Sequence, residues 1–245
     1  MNRSGDMFRE WRPHCSLFQK QLAILAMVLF LDGALFGSML SIARATEEDR
    51  AVFADSPMAY AGWTVALTFD DGPHKTCTRA LLDGLRERNV RATFFLMGQS
   101  IEGNEELIRQ MKADGHLIGS HGFSHTELTK AKAEEVRQSL EKTADLLEEI
   151  TGAEPEYLRP PYGEWNQTLE EATDYITVFW SPDSLDWKLQ NTEQIVRRVE
   201  KTIENGDIIL MHDVFPTSVE AALRIVDDLQ AGGCRFVTVE ELLID

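Results

Sequence analysis

Thr68-Phe69-Asp70-Asp71-Gly72-Pro73 lies where an apolar run, 65–69, meets a Gly-Pro turn. In an α/β fold the C-terminal end of a strand is where ligands bind and chemistry is done. Two adjacent carboxylates at such a point repel each other, so they need a cation or a proton between them. The same four residues, Asp-Asp-Gly-Pro, also suit an ordinary turn. What the other strand ends carry decides between the two.

From Trp63 onward the chain alternates between two patterns. Strand-like runs fall at 65–69, 92–97, 117–120, 157–159, 176–180, 208–211 and 236–239. Helical patterns fall at 78–87, 105–113, 132–150, 168–173, 193–203 and 218–229. The alternation predicts an α/β fold with about seven parallel strands, as an open sheet or a barrel. Thr78 and Asn191 read as N-caps, and 216–220 reads as the opening of a capping box. Val136, Leu140, Ala144, Leu147 and Ile150 recur at helical spacing and form a core-facing stripe.

The 245 residues, 43% hydrophobic and 27% charged, fit one globular domain with a full core and an N-terminal extension. A formal net charge of -17 argues against a nucleic-acid partner, because such binders cluster Lys and Arg. The three cysteines, Cys15, Cys77 and Cys234, have no metal-ligand spacing. Cys77 follows the first strand and Cys234 precedes the last, on opposite faces of a barrel, so no disulfide is expected between them.

Arg3, Arg9, Arg12 and Lys20 precede an apolar stretch at 22–42, interrupted by Asp32 and followed by Ala43-Arg44-Ala45. A positive flank, an apolar run and an A-x-A site are the parts of a secretory signal peptide. The run also approaches the length of a bilayer span, so an uncleaved membrane anchor is the alternative. The organisation expected is therefore 1–45 as signal peptide or anchor, 46–61 as a polar linker and 62–245 as the working domain, outside the cytoplasm.

Four further clusters follow strand-like runs. In His121-Gly122-Phe123-Ser124-His125, two imidazoles are placed to reach one ion. Joined by a carboxylate from the first strand end, they make a three-ligand site with room for water, as in catalytic metal centres. In Arg159-Pro160-Pro161-Tyr162-Gly163, the Arg is placed to steer a carboxylate and the Tyr162 amide to face an oxyanion. Asp183-Ser184-Leu185-Asp186-Trp187 comes next, and Leu210-Met211-His212-Asp213 presents a histidine suited to general-acid work. Each cluster alone reads as a turn or a satisfied core residue. Five together at five strand ends do not.

The set, in this order, resembles the polysaccharide deacetylase family, also called the NodB homology domain or carbohydrate esterase family 4. The resemblance runs from about Trp63 to the C-terminus. Over 212–241 it is most similar to bacterial peptidoglycan N-acetylglucosamine deacetylases. It implies a NodB-like, irregular (β/α) barrel with fewer than eight strands. It implies Asp71, His121 and His125 as ligands of a divalent metal, most often Zn2+, with Co2+, Mn2+, Fe2+ or Ni2+ as substitutes. Asp70 matches the catalytic base, His212 the catalytic acid, Arg159 the residue orienting the base and Asp183 the one tuning the acid. Trp187 and Leu210 match a small pocket for the acetyl methyl. The family usually has Ser or Thr where this chain has Gly122.

The activity implied is metal-dependent removal of N-acetyl groups from N-acetylglucosamine units of an extracellular glycan, peptidoglycan ahead of chitin oligomers. The alternatives are an O-deacetylase of the acetylxylan esterase type and a non-catalytic glycan-binding module. The chemistry also stands on the residues alone. A cation polarises the acetyl carbonyl and the attacking water, one acid takes the water's proton, and a histidine protonates the amine that leaves.

Overall fold

Strand β1 (Thr64–Asp70) is buried along its whole length from Val65 onward, on both of its faces. That is the signature of a central parallel strand covered on both sides. The computed structural model describes residues 59–244. The leader expected at 1–45, with Cys15, and the linker up to residue 58 lie outside those residues. Among the described residues, no helix is long and apolar enough to cross a membrane.

The other strands are β2 (Thr93–Leu96), β3 (Leu117–Ser120), β4 (Tyr157–Leu158), β5 (Ile176–Thr177), β6 (Ile208–His212) and β7 (Arg235–Val237). All pair in parallel, in the order β5-β4-β3-β2-β1-β6. β7 pairs with the first residues of β1, Thr64 to Ala66, while β2 takes Thr68 to Asp70. Beyond β5 the chain turns back to the far edge of the sheet. Ser181 and Ser184 donate N–H to the carbonyls of Ile208 and Leu210, and Leu210 N–H donates to Pro182. These bonds draw the two edges together, which makes the sheet the irregular (β/α) barrel expected.

Around it lie α1 (Cys77–Glu87), α2 (Glu105–Ala113), α3 (Ala133–Thr151), α4 (Gln167–Ala172), α5 (Asp186–Leu189), α6 (Thr192–Thr202), α7 (Pro216–Ala231) and α8 (Val239–Ile244). The main core joins Val65, Leu67 and Phe69 of β1 to Leu81, Leu82 and Leu85 of α1 and to Ile225, Val226 and Leu229 of α7. Gly84 lets α1 approach α7 closely, since a Cβ there would overlap the Leu223 side chain. The stripe on α3 is buried at Val136, Leu140, Ala144 and Leu147, as its spacing predicts. Cys77 and Cys234 are both buried free thiols.

Helix starts depart from the sequence reading in two places. Asn191 does cap α6, its side chain accepting from Gln194 N–H at 3.0 Å. Thr78, by contrast, lies inside the first turn of α1, and its hydroxyl accepts the His74 N–H at 2.7 Å. α7 begins with Pro216 at its first position and Phe215 as N-cap, without a capping side chain. Proline suits that position because its missing N–H needs no partner there. Helices α5 and α8 have no counterpart in the sequence reading.

Leu85 is fully buried between the sheet and α7. Truncation to alanine removes packed methyl groups and leaves a cavity. Leu85→Ala is expected to lower unfolding free energy by about 2–5 kcal/mol in urea denaturation. A loss below about 1 kcal/mol would place Leu85 outside the core.

Candidate active site

The C-terminal ends of β1, β3, β4 and β6 bring the expected residues to one end of the barrel. β1 ends at Asp70, which is 3% exposed. The chain then turns sharply, with Asp71 in the left-handed region at φ 73° and a cis Gly72–Pro73 bond. A non-glycine residue is strained there, although Asp tolerates the region better than most. The turn sends the two neighbouring carboxylates different ways.

Asp70 points to Arg159, which follows β4 and is completely buried. Arg159 Nη1 donates to Asp70 Oδ1 at 2.9 Å and to Thr68 Oγ1 at 2.7 Å. Nε donates to the Val178 carbonyl at 3.3 Å and Nη2 to that of Phe179 at 3.2 Å. The guanidinium lies 4.3 Å from the Phe95 ring centroid, with the Trp180 ring at 5.6 Å. A buried charge is tolerated when paired and hydrogen-bonded in this way. Thr68 is two residues before Asp70 and so on the same face of β1. Its part in holding Arg159 was legible only in that alternation.

Asp71 turns to the histidines. Its Oδ1 lies 3.6 Å from His121 Nε2 and 3.8 Å from His125 Nε2. Asp71, His121 and His125 each offer a ligand atom within 4.8 Å of the others. Two observations fit this set to a divalent cation. Asp71 Oδ1 is buried with no hydrogen-bond partner among the described residues. His121 Nδ1 donates to the Arg159 carbonyl at 2.7 Å, which leaves its Nε2 lone pair facing Asp71. Burial lowers the pKa of His121 despite two facing carboxylates, so the imidazole is held neutral, as ligation requires. Two nitrogens and one carboxylate oxygen suit zinc-like ions.

Gly122 takes a positive φ of 78°, a conformation that a Ser or Thr would adopt only with strain. The loop is braced by other means. Gly122 N–H donates to Ser120 Oγ at 3.2 Å, and the Gly122 and Phe123 carbonyls accept from Gly98 and Gln99 at 3.0 and 2.9 Å. The Tyr162 ring packs edge-on against His125, 4.3 Å between centroids. Tyr162 itself is left-handed at φ 63°.

The structure corrects one expected pairing. Asp183 does not meet His212. Its Oδ1 accepts Leu185 N–H at 2.8 Å, and its backbone bridges to Leu210, two residues short of the histidine. Leu185, left-handed at φ 54°, then turns the chain so that Asp186 meets His212 instead. Asp186 Oδ1 lies 2.8 Å from His212 Nδ1, and Oδ2 accepts the His212 N–H at 2.8 Å. Burial alone would lower the His212 pKa, but the Asp186 bond and charge, with the charges of Asp70 and Asp71, outweigh it and raise it to about 9. The remaining nitrogen, Nε2, faces Asp71 Oδ2 at 4.0 Å. The second acid of Asp183-Ser184-Leu185-Asp186-Trp187 was visible in the sequence, and only the register of that loop on β6 shows which one reaches the histidine.

Asp70 and His212 are register partners on β1 and β6, as are Thr68 and Leu210. Leu210 therefore shares a face of the barrel with Asp70 and His212, and is buried. Trp187 begins α5 beside Asp186 and is half exposed.

A family model described as polysaccharide deacetylase matches residues 60–178. The chain is 37% identical over 186 residues to the peptidoglycan-N-acetylglucosamine deacetylase PgdA of Listeria monocytogenes, covering 76% of this chain and 40% of that protein. It thus spans well under half the length of that relative. A peptidoglycan-N-acetylglucosamine deacetylase of Bacillus cereus is 37% identical over 203 residues, covering 76% of this chain and 94% of the relative. The structure of peptidoglycan deacetylase PdaC from Bacillus subtilis superposes with a TM-score of 0.73 at 36% identity, over 74% of this chain and 90% of that one. With sequence likeness reaching almost the whole of one relative and the same barrel in another, the chain belongs to the polysaccharide deacetylase family.

Proposed function

We propose that this protein is a metal-dependent deacetylase that hydrolyses the N-acetyl group of N-acetylglucosamine units in an extracellular glycan, peptidoglycan ahead of chitin oligomers. One observation carries the reading. Asp70 with Arg159 and His212 with Asp186 flank the Asp71–His121–His125 set, a held acid on one side and a proton-bearing imidazole on the other.

Asp71, His121 and His125 would hold the cation, with Zn2+ favoured and Co2+, Mn2+, Fe2+ or Ni2+ as substitutes. When bound, it supplies Lewis-acid polarisation of the acetyl carbonyl and the attacking water. Asp70 takes the water's proton. Arg159 occupies its Oδ1 and leaves Oδ2, 3.9 Å from His121 Nε2, toward the reacting centre. The Tyr162 amide serves as the oxyanion donor. Trp187 and Leu210 enclose the acetyl methyl. His212 carries its proton on Nε2 at neutral pH, because Asp186 holds Nδ1–H, and delivers it to the departing amine. An amide nitrogen leaves poorly without that proton, whereas an ester alkoxide depends on it less. The reinforced acid therefore favours amide over ester chemistry, against the acetylxylan esterase alternative. An intact base and acid argue against a non-catalytic glycan-binding module.

The names of the relatives support peptidoglycan as the polymer. A cell-wall substrate places the domain at 62–245 outside the cytoplasm. It also gives 1–45 a purpose, as signal peptide or anchor, with 46–61 as the linker.

The test is acetate release by the purified chain from N-acetylated peptidoglycan fragments. Turnover is expected to stop with chelator and return on adding a divalent metal, and Asp70→Asn is expected to lose at least about 10²-fold in kcat. Acetate release that survives both chelation and Asp70→Asn would overturn the mechanism.

The pairing of Asp186 with His212 makes a separate prediction. Asp186→Asn removes the charge that raises the His212 pKa, so the alkaline limb of the kcat/KM profile should move to lower pH. Neutral-pH activity should fall by roughly 10²-fold or more. Asp183→Asn should leave that limb in place. A shift in the Asp183 variant alone would return the tuning role to Asp183.

A further inference from the structure

Of the buried acids among the described residues, Asp70, Asp186 and Asp213, only Asp213 has no part in the chemistry above. It directly follows His212 at the end of β6 and is completely buried. Its side chain runs under the turn that carries Asp71. Oδ2 accepts a hydrogen bond from the hydroxyl of Thr78, in the first turn of α1. Both carboxylate oxygens press on Gly72 so closely that a Cβ there would overlap them. Oδ1 has no hydrogen-bond partner among the described residues. The Thr78 hydroxyl oxygen in turn accepts the His74 N–H at 2.7 Å, and Thr78 N–H returns to the His74 carbonyl at 3.0 Å.

Asp213 thus packs against Gly72 while Thr78, bonded to it, holds His74, so the contacts fall on either side of Pro73. The turn they hold is one in which Asp71 is strained at φ 73°. Such a conformation persists only when surrounding contacts over-determine it. Among the described residues, no hydrogen bond to protein fixes Asp71 Oδ1 itself, so its position depends on the backbone of the turn.

We propose that Asp213, acting through Thr78, is a positioning residue that clamps residues 71–74 and so delivers the Asp71 carboxylate to His121 and His125. The inference rests on Asp71 being a metal ligand, as proposed above. Groups that orient metal ligands set affinity, and their loss typically costs 10–100-fold.

Cobalt(II) serves as the probe, its dissociation constant read from visible absorption in competition with a chelator, on purified chains shown to be folded by circular dichroism. Thr78→Val keeps the shape of the side chain and removes the bridging hydroxyl, and should weaken cobalt binding by about 10–100-fold. Thr78→Ser restores the hydroxyl and should bind within about twofold of the unaltered chain. Asp213→Ala should weaken binding as Thr78→Val does. Should Asp213→Ala fail to fold, the comparison of Thr78→Val with Thr78→Ser decides. Cobalt affinity unchanged in folded Thr78→Val, or as weak in Thr78→Ser as in Thr78→Val, would overturn the clamp. No cobalt binding by the unaltered chain would overturn the ligand assignment itself, and the clamp with it.

Discussion

A guanidinium sealed from water constrains everything near it. Arg159 must be neutralised and hydrogen-bonded where it lies, and Asp70 is the acid that meets it. Removing one partner of such a pair costs about 3–5 kcal/mol, because the other is left charged in a poorly polarisable interior. The same residue acts a second time through its backbone, where its carbonyl accepts the hydrogen bond from His121 Nδ1–H. One position thus orients the proposed base with its side chain and a proposed metal ligand with its main chain. Phe95, in the core, and the half-buried Trp180 lie against that guanidinium, which gives two aromatic rings a part in the geometry of the site.

The second constraint is the register of β6 on β1. Pairing Asp70 with His212 places an acid and an imidazole on adjacent strands, with Asp71 turned away between them toward the histidines. The loop that closes the barrel against β6 is the one that brings Asp186 to His212. Closure of the sheet and charging of the acid are therefore one structural event. A shift of one residue in that loop would take from His212 the bond and charge that oppose the lowering of its pKa by burial.

Much of this was legible in the residues. The strands showed as short apolar runs because a parallel sheet buries both faces, and the long α3 showed its stripe at Val136, Leu140, Ala144 and Leu147. His121 and His125, with one of the two adjacent acids, were recognisable because such acids need a cation and paired histidines supply its remaining ligands; that the acid is Asp71 came from the family resemblance. What escaped depended on register or on competition between partners. Asp183 and Asp186 are chemically equivalent in sequence, and only the left-handed Leu185 separates their destinations. Thr78 resembles an N-cap, but Asp213, 135 residues away in the chain, claims its hydroxyl. Gly122 departs from the family's usual Ser or Thr, and nothing in the sequence shows that Ser120, Gly98 and Gln99 brace its loop.

The central claim is a division of labour between two neighbouring carboxylates, Asp71 for the cation and Asp70 for the proton. The most direct measurement is metal content, by elemental analysis, of purified Asp70→Asn and Asp71→Asn chains loaded under identical conditions. Asp70→Asn is expected to retain near-stoichiometric metal while losing acetate release, and Asp71→Asn to lose the metal. Near-full occupancy in Asp71→Asn, with loss of metal from Asp70→Asn, would contradict the assignment and exchange the two roles.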